Sequence, residues 1–183
     1  EPFLSIIEHT AAIYRAVFNA FPDNLVLEHH SLAGLGSEEA KEDAEAVNER
    51  ARRLLAENWD APIIITTNVQ LLESLFSNRP SACRKLHNLM ESVIMFDEAQ
   101  TLPQALAVPT LGALSHLSHA YGSSVVFATA TQPAFDALDN AVTKLVTVGW
   151  RPVEVTPDHV RLYDDLRRYE VQWPKHGETK EWP

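Results

Sequence analysis

Only one cysteine, Cys83, occurs in the chain, so no internal disulfide can form and a disulfide-stapled extracellular scaffold is excluded. Nowhere do apolar residues continue for about 18 positions, which removes any candidate membrane-spanning helix, and no basic stretch leads into an apolar one as in a secretory leader. A cytoplasmic protein without membrane contact is the expectation. Positive charge is scarce too: 15 Lys and Arg against 25 Asp and Glu give a formal net charge of -10. That balance excludes a domain coated in phosphate-binding lysines and leaves room only for a small local groove on nucleic acid. The most consequential absence is a Gly-x-x-x-x-Gly-Lys-Ser/Thr segment. Gly34 and Gly36 lie in a loop, but no Lys-Ser or Lys-Thr follows them, so a phosphate-cradling loop of the Walker type is not encoded.

What remains is ordinary for a globular domain: 183 residues, 45% apolar and 22% charged, enough to bury one core. The chain opens on Glu1 rather than methionine and runs at once into structured sequence, which suggests part of a larger protein. Its organising stretch is Ser92 to Pro103, SVIMFDEAQTLP. Val93 to Phe96 form a continuous apolar run, as in a strand buried on both faces of a parallel sheet, and Asp97 and Glu98 sit where that strand emerges. In doubly wound sheets ligands bind at the carboxyl ends of the strands. Two acids there suit magnesium on a nucleoside triphosphate, held by Asp97, and a water oriented by Glu98; a solvated strand end with an acidic helix cap is the plain alternative.

In chain order, Ser5 and Glu8 have capping-box spacing, and Ile6, Ile7, Ile13, Tyr14, Val17, Phe18 and Phe21 predict a core-packed helix that stops at Pro22. Leu25 to Leu27 form a short strand ending in Glu28, His29 and His30, whose two imidazoles point to opposite faces and do not share a metal. Ser37 opens a helix with Ala40, Ala44, Val47, Ala51, Leu54 and Leu55 on one face. Pro62 to Ile65 form a second buried strand, followed by Thr66, Thr67, Asn68 and Gln70 at the start of a helix through Leu71, Leu72, Leu75 and Phe76. Thr67 and Gln70 again have capping-box spacing, and the same hydroxyls and amides suit a nucleic-acid phosphate. Arg79, Arg84, Lys85 and His87 make the best local basic cluster. A helix punctuated by Pro103 and Pro109 presents Leu111, Leu114, Leu117 and Tyr121 to the core and leaves His116 and His119 on the surface. Ser124 to Ala128 form a third buried strand ending in Thr129, Ala130 and Thr131. Leu145 to Trp150 are a further strand candidate, and from Arg151 the chain reads as linker, with Tyr169 to Trp173 as an isolated strand.

Strands alternating with amphipathic helices imply a parallel α/β sheet with right-handed crossovers. The three strand ends, Thr66 to Asn68, Asp97 to Gln100 and Thr129 to Thr131, share one polar edge.

On PFLSIIEHT, LEHHS, ENWDAPIIITTNVQLLESLFS, CRKLHN, SVIMFDEAQTLP and SVVFATATQPAF, which together run over residues 1 to about 150, the chain resembles the CRISPR-associated helicase of type I systems, in the first RecA-like lobe of this superfamily 2 motor. The resemblance implies a three-layer RecA-like (P-loop NTPase) parallel sheet flanked by helices and incomplete at the N-terminus, over 1–150, with 151–183 leading toward a second RecA-like lobe. It implies ATP and magnesium as cofactors, with Asp97 (magnesium), Glu98 (water activation) and Gln100 (link to the terminal phosphate) as catalytic residues, and Thr129 and Thr131 as the motif coupling hydrolysis to strand movement. Pro2 and Ser5, then Thr66, Thr67, Asn68 and Gln70, match the motifs that grip the backbone of single-stranded DNA. The implied partners are single-stranded DNA and, through the full-length protein, a CRISPR RNA-guided surveillance complex. The missing lysine loop departs from the family and implies that this chain alone is nearly inert as an ATPase. Two other readings stand beside it: a nucleic-acid-binding or scaffold module that keeps the fold without the chemistry, and a metal-dependent hydrolase using Asp97, Glu98 and a histidine such as His87.

Overall fold

Residues 4–30, 50, 54–129, 135–156 and 158–169 are described by the computed structural model. The helix expected from Ser37 falls mostly outside them, as do Pro2, Thr131 and most of the strand expected at 169–173. The chain divides into two units, 1–151 and 152–183.

The architecture of the first unit is mixed α/β, with short parallel sheets flanked by helices, as in a partial RecA-like fold. Helix α1 (Leu4–Val17) leads through a tight turn to β1 (Val26–His29); α2 (54–58) precedes β2 (Ile63–Thr66), which runs into α3 (Asn68–Phe76). A short helix α4 (Pro80–Cys83) and a 3-10 stretch lead to β3 (Val93–Asp97), then α5 (Gln104–Tyr121), β4 (Ser124–Ala128) and α6 (Asp139–Thr143). β1 pairs with β2 in parallel, Val26 opposite Ile63, and β3 pairs with β4 in parallel, Val93 opposite Ser124. In the second unit, α7 (His159–Asp165) is a helix where only linker was expected, and its described side chains are exposed.

Strand alternation distributes the side chains between two layers. One core joins both strand pairs: Leu27, Ile64, Ile94, Phe96, Val125 and Phe127 pack with Leu71 of α3 and with Leu111, Leu114 and Leu117 of α5. Phe96 stacks on Phe127 at 5.1 Å between centroids, and Trp150 meets Phe127 edge-on at 5.5 Å. A smaller core on the opposite side consists of Ile7 and Ala11 of α1 against Val26 and Ile65.

β3 is therefore not buried on both faces. Ile94 and Phe96 are 8% and 2% exposed, whereas Val93 and Met95 are 72% and 66% exposed, because among the described residues α1 packs against β1 and β2 and no element covers that face of β3. α1 itself buries only a narrow stripe; Ile6, Ile13, Tyr14 and Val17 are exposed, since a helix lying over two short strands has only that width to fill, and Phe21, expected within this helix, lies exposed in the turn after it. Tyr121 is likewise exposed, at the last residue of α5 beside the Gly122 cap. The stretch 145–150 is a turn rather than a strand. It closes the end of α6, with the Asp139 carboxylate accepting from the Trp150 N–H at 2.6 Å and Gly149 at φ 69°, where an added Cβ would meet Asp139 Oδ1 at 2.5 Å. His116 and His119 are exposed, as expected from the helix pattern.

Candidate functional site: the carboxyl edge of the strands

β3 delivers Asp97 as its last residue, and the chain turns at once. Glu98 adopts the left-handed conformation, φ 52° and ψ 51°, before a 3-10 turn over Ala99–Thr101. For a residue with a side chain that costs on the order of 1–3 kcal/mol and must be held in place by its surroundings. Here the holding is local: Asp97 Oδ1 accepts from the Glu98 N–H at 3.1 Å, Thr101 Oγ1 donates to the Glu98 carbonyl at 2.8 Å, and Ala99 beneath is 1% exposed. Both acids are left half-buried at this turn.

Side chains from the other strand ends converge on it. The Gln100 amide donates through Nε2 to Glu98 Oε2 and accepts through Oε1 from the Thr129 hydroxyl just beyond β4, so one amide spans two strand ends. Asn68 Nδ2 donates to Thr101 Oγ1 at 3.3 Å, which brings in the junction of β2 and α3. Thr66 Oγ1 donates to the His29 carbonyl at 2.7 Å and ties β2 to β1. Asp97, Glu98 and Thr129 are half-buried and Gln100 is exposed, as befits groups lining an open edge.

Other expected residues are placed differently. Thr67 is the N-cap of α3, its Oγ1 accepting from the Gln70 N–H at 3.2 Å; among the described residues no bond from the Thr67 N–H to the Gln70 side-chain oxygen closes the capping box, and Gln70 Nε2 donates to Glu73 at 3.4 Å. Ser5 does not cap α1: the helix already includes Leu4, and Ser5 is exposed in its first turn, apart from the residues these bonds join.

His29, the last residue of β1, and His30 just after it make separate contacts. His30 Nε2 lies 2.9 Å from Glu28 Oε1, and Arg15 donates to Glu28 Oε2 at 3.1 Å. Glu8, Glu28 and His30 each place a ligand atom within 4.8 Å of the others, a spacing a metal would accept, although Arg15 already compensates Glu28 there. Among the described residues no histidine joins Asp97 and Glu98 in such a group, and His87 Nδ1 instead lies against the Arg84 carbonyl, which removes support from the metal-hydrolase reading.

His29 accepts at Nδ1 from the Trp59 indole N–H at 3.1 Å. Burial, then the charges of Lys85 and His30, push its pKa down from 6.5 to about 4. An accepting Nδ1 requires the neutral ring, in agreement with that direction. Between pH 6.5 and about 4 the unfolded chain takes up a proton that folded His29 refuses, so stability is undiminished by this group above pH 6.5 and falls as the pH drops through that window. Urea midpoints measured from pH 7.5 to 4 should fall less steeply for His29→Gln than for the parent; equal slopes would show that His29 does not titrate this way.

Trp59, 2% exposed in a left-handed turn, and Thr101 are site-shaping residues that the sequence did not single out. NWD reads as a plain turn, and the contacts of Trp59 to His29 and of Thr101 to Asn68 span 30 and 33 positions of the chain.

No family model matches the chain. Over 155 residues it is 31% identical to the CRISPR-associated nuclease/helicase Cas3 of Haloferax volcanii, a match covering 81% of this chain. The chain spans only about 16% of the length of that protein. It is thus a relative of Cas3, matched to a limited part of that protein.

Proposed function

We propose that this chain is the first motor lobe of an ATP-dependent DNA helicase or translocase of type I CRISPR defence, which couples ATP hydrolysis to movement along single-stranded DNA and reaches a CRISPR RNA-guided surveillance complex through the full-length protein. The observation that carries the reading is the bonded path Glu98–Gln100–Thr129, joined through Thr101 to Asn68. It connects the two acids at the end of β3 to the residues at the ends of β4 and β2, so a shift of Glu98 or Gln100 is felt by both.

The residues fit magnesium in part. Asp97 uses one carboxylate oxygen on the Glu98 N–H and leaves the other without a hydrogen bond among the described residues, available to a magnesium ion or to its water. Magnesium would supply charge neutralisation on the phosphates. The triphosphate itself lacks its lysine and amide cradle in this sequence, so the chain alone turns over little ATP. Glu98 would orient the attacking water, and the bond from Gln100 to its carboxylate supports that role. Asn68 and the N–H groups of Asn68 and Val69 at the start of α3, which have no partner among the described residues, suit a DNA phosphate, which is read without base contacts.

Calorimetry with magnesium-ATP tests this, using the chain and a version extended upstream to include a lysine-bearing phosphate loop. Only the extended version should bind, and Asp97→Ala should weaken that binding about ten-fold or more. If neither binds, the polar edge serves something other than a nucleotide, and the scaffold reading, favoured by the missing lysine loop, takes its place.

A further inference from the structure

Beside the polar edge lies a cavity of about 1080 Å³ that the catalytic reading does not use. Its walls are mainly apolar, with Val69, Leu72 and Phe76 of α3 facing Pro103, Leu106 and Pro109 at the start of α5. Lys85 also lines it. This lysine is only 7% exposed, and its ammonium has no hydrogen bond or ion pair among the described residues; its one close partner is the Trp59 ring, 5.1 Å from Nζ. A buried, unpaired cation is costly unless an anion reaches it. The cost is visible in Lys85 itself: desolvation lowers its pKa, opposed by Glu73 on the cavity wall.

The surroundings indicate which anion. Glu57 on the wall is already paired with Arg84 at 3.1 Å, which leaves Glu73 set against Arg79 and Lys85, a local excess of positive charge in a chain of net charge -10. α3 begins at Asn68 and lines the cavity with Val69, Leu72, Glu73 and Phe76, so the helix start suited to a phosphate and the cavity wall belong to one element. Val69, Phe76 and Leu106 keep 61%, 46% and 39% of their surface exposed, and an apolar wall that stays open to the ligand suits the face of a nucleobase.

We propose that this cavity receives one nucleotide unit of single-stranded DNA, its phosphate on Lys85 and its base against the Val69, Phe76 and Leu106 wall. The assignment rests on the motor reading above and adds to it a site away from the strand ends. It gives the Arg79, Arg84 and Lys85 cluster a role: Lys85 receives the phosphate, Arg79 stands at the wall, and Arg84 neutralises Glu57.

Fluorescence anisotropy of fluorescein-labelled (dT)12, titrated with this chain at several salt concentrations, tests it. Lys85→Gln should weaken binding about ten-fold and reduce the slope of log K against log salt by about one, while Lys85→Arg restores most of both. Since Lys85→Gln removes a contact to Trp59 and so risks the fold, Leu106→Glu on the exposed wall is the second variant, and it too should weaken binding at an unchanged melting temperature. If Asn68→Ala weakens (dT)12 but Lys85→Gln and Leu106→Glu leave affinity and salt slope unaltered, the cavity assignment falls and the motor reading stands. If free dTMP competes as well as (dT)12, the cavity is a mononucleotide site and the strand assignment is overturned. If (dT)12 does not bind the parent chain, the cavity assignment falls, while the motor reading remains decided by magnesium-ATP calorimetry.

Discussion

Glu98→Gln in the upstream-extended protein is expected to lower DNA-stimulated ATP turnover by about 10²–10⁴-fold, the usual contribution of a positioned general base or water-orienting carboxylate. The substitution keeps the side chain's shape and leaves an amide oxygen to accept from Gln100 Nε2, so the contact from Gln100 onward to Thr129 survives. What is lost is the carboxylate charge. Magnesium-ATP affinity should stay within about two-fold of the parent, because the proposal gives the metal to Asp97 and not to Glu98. That split between turnover and binding distinguishes a lost chemical step from a collapsed site. A turnover loss below ten-fold, or an equal loss of binding, would remove Glu98 from the role assigned to it.

Phe96→Ala should cost about 3–5 kcal/mol of folding stability, the range for truncating a buried aromatic ring. Phe96 is 2% exposed and stacks on Phe127 with an interplanar angle of 16°, in the core that joins both strand pairs. Its neighbour Met95 is 66% exposed, so Met95→Ala should cost no more than about 0.5 kcal/mol. Urea denaturation followed by tryptophan fluorescence measures both. Similar losses at the two positions would mean that β3 is covered on both faces, contrary to its one-sided packing here. The two substitutions lie on adjacent residues of one strand, which makes the comparison a test of packing rather than of strand propensity.

Where apolar runs are bounded by polar residues, the sequence is a good guide. Val93 to Phe96 and Ser124 to Ala128 become β3 and β4, the pairing is parallel, and Thr67 caps α3, because alternation and capping depend on residues close in the chain. The polar ends of β2, β3 and β4 were also legible, and the structure brings them into bonded contact. Periodicity misled at α1, where an apolar repeat as regular as that of a core helix leaves Ile13 and Val17 exposed. It misled again at Leu145 to Trp150, where Asp139 holds the segment in a turn despite its strand-like composition.

By itself the sequence determined the α/β alternation, the acids at the end of β3 and the absence of a lysine-bearing phosphate loop, since each is a matter of residue type and local spacing. Only the tertiary structure decided that Gln100 bridges Glu98 and Thr129, that His29 accepts from Trp59, and that Lys85 lines a cavity against the Trp59 ring. The Gln100–Thr129 and His29–Trp59 contacts join residues 29 and 30 positions apart. Their geometry depends on strand register and on which face of each element is covered, neither of which is encoded at any single position.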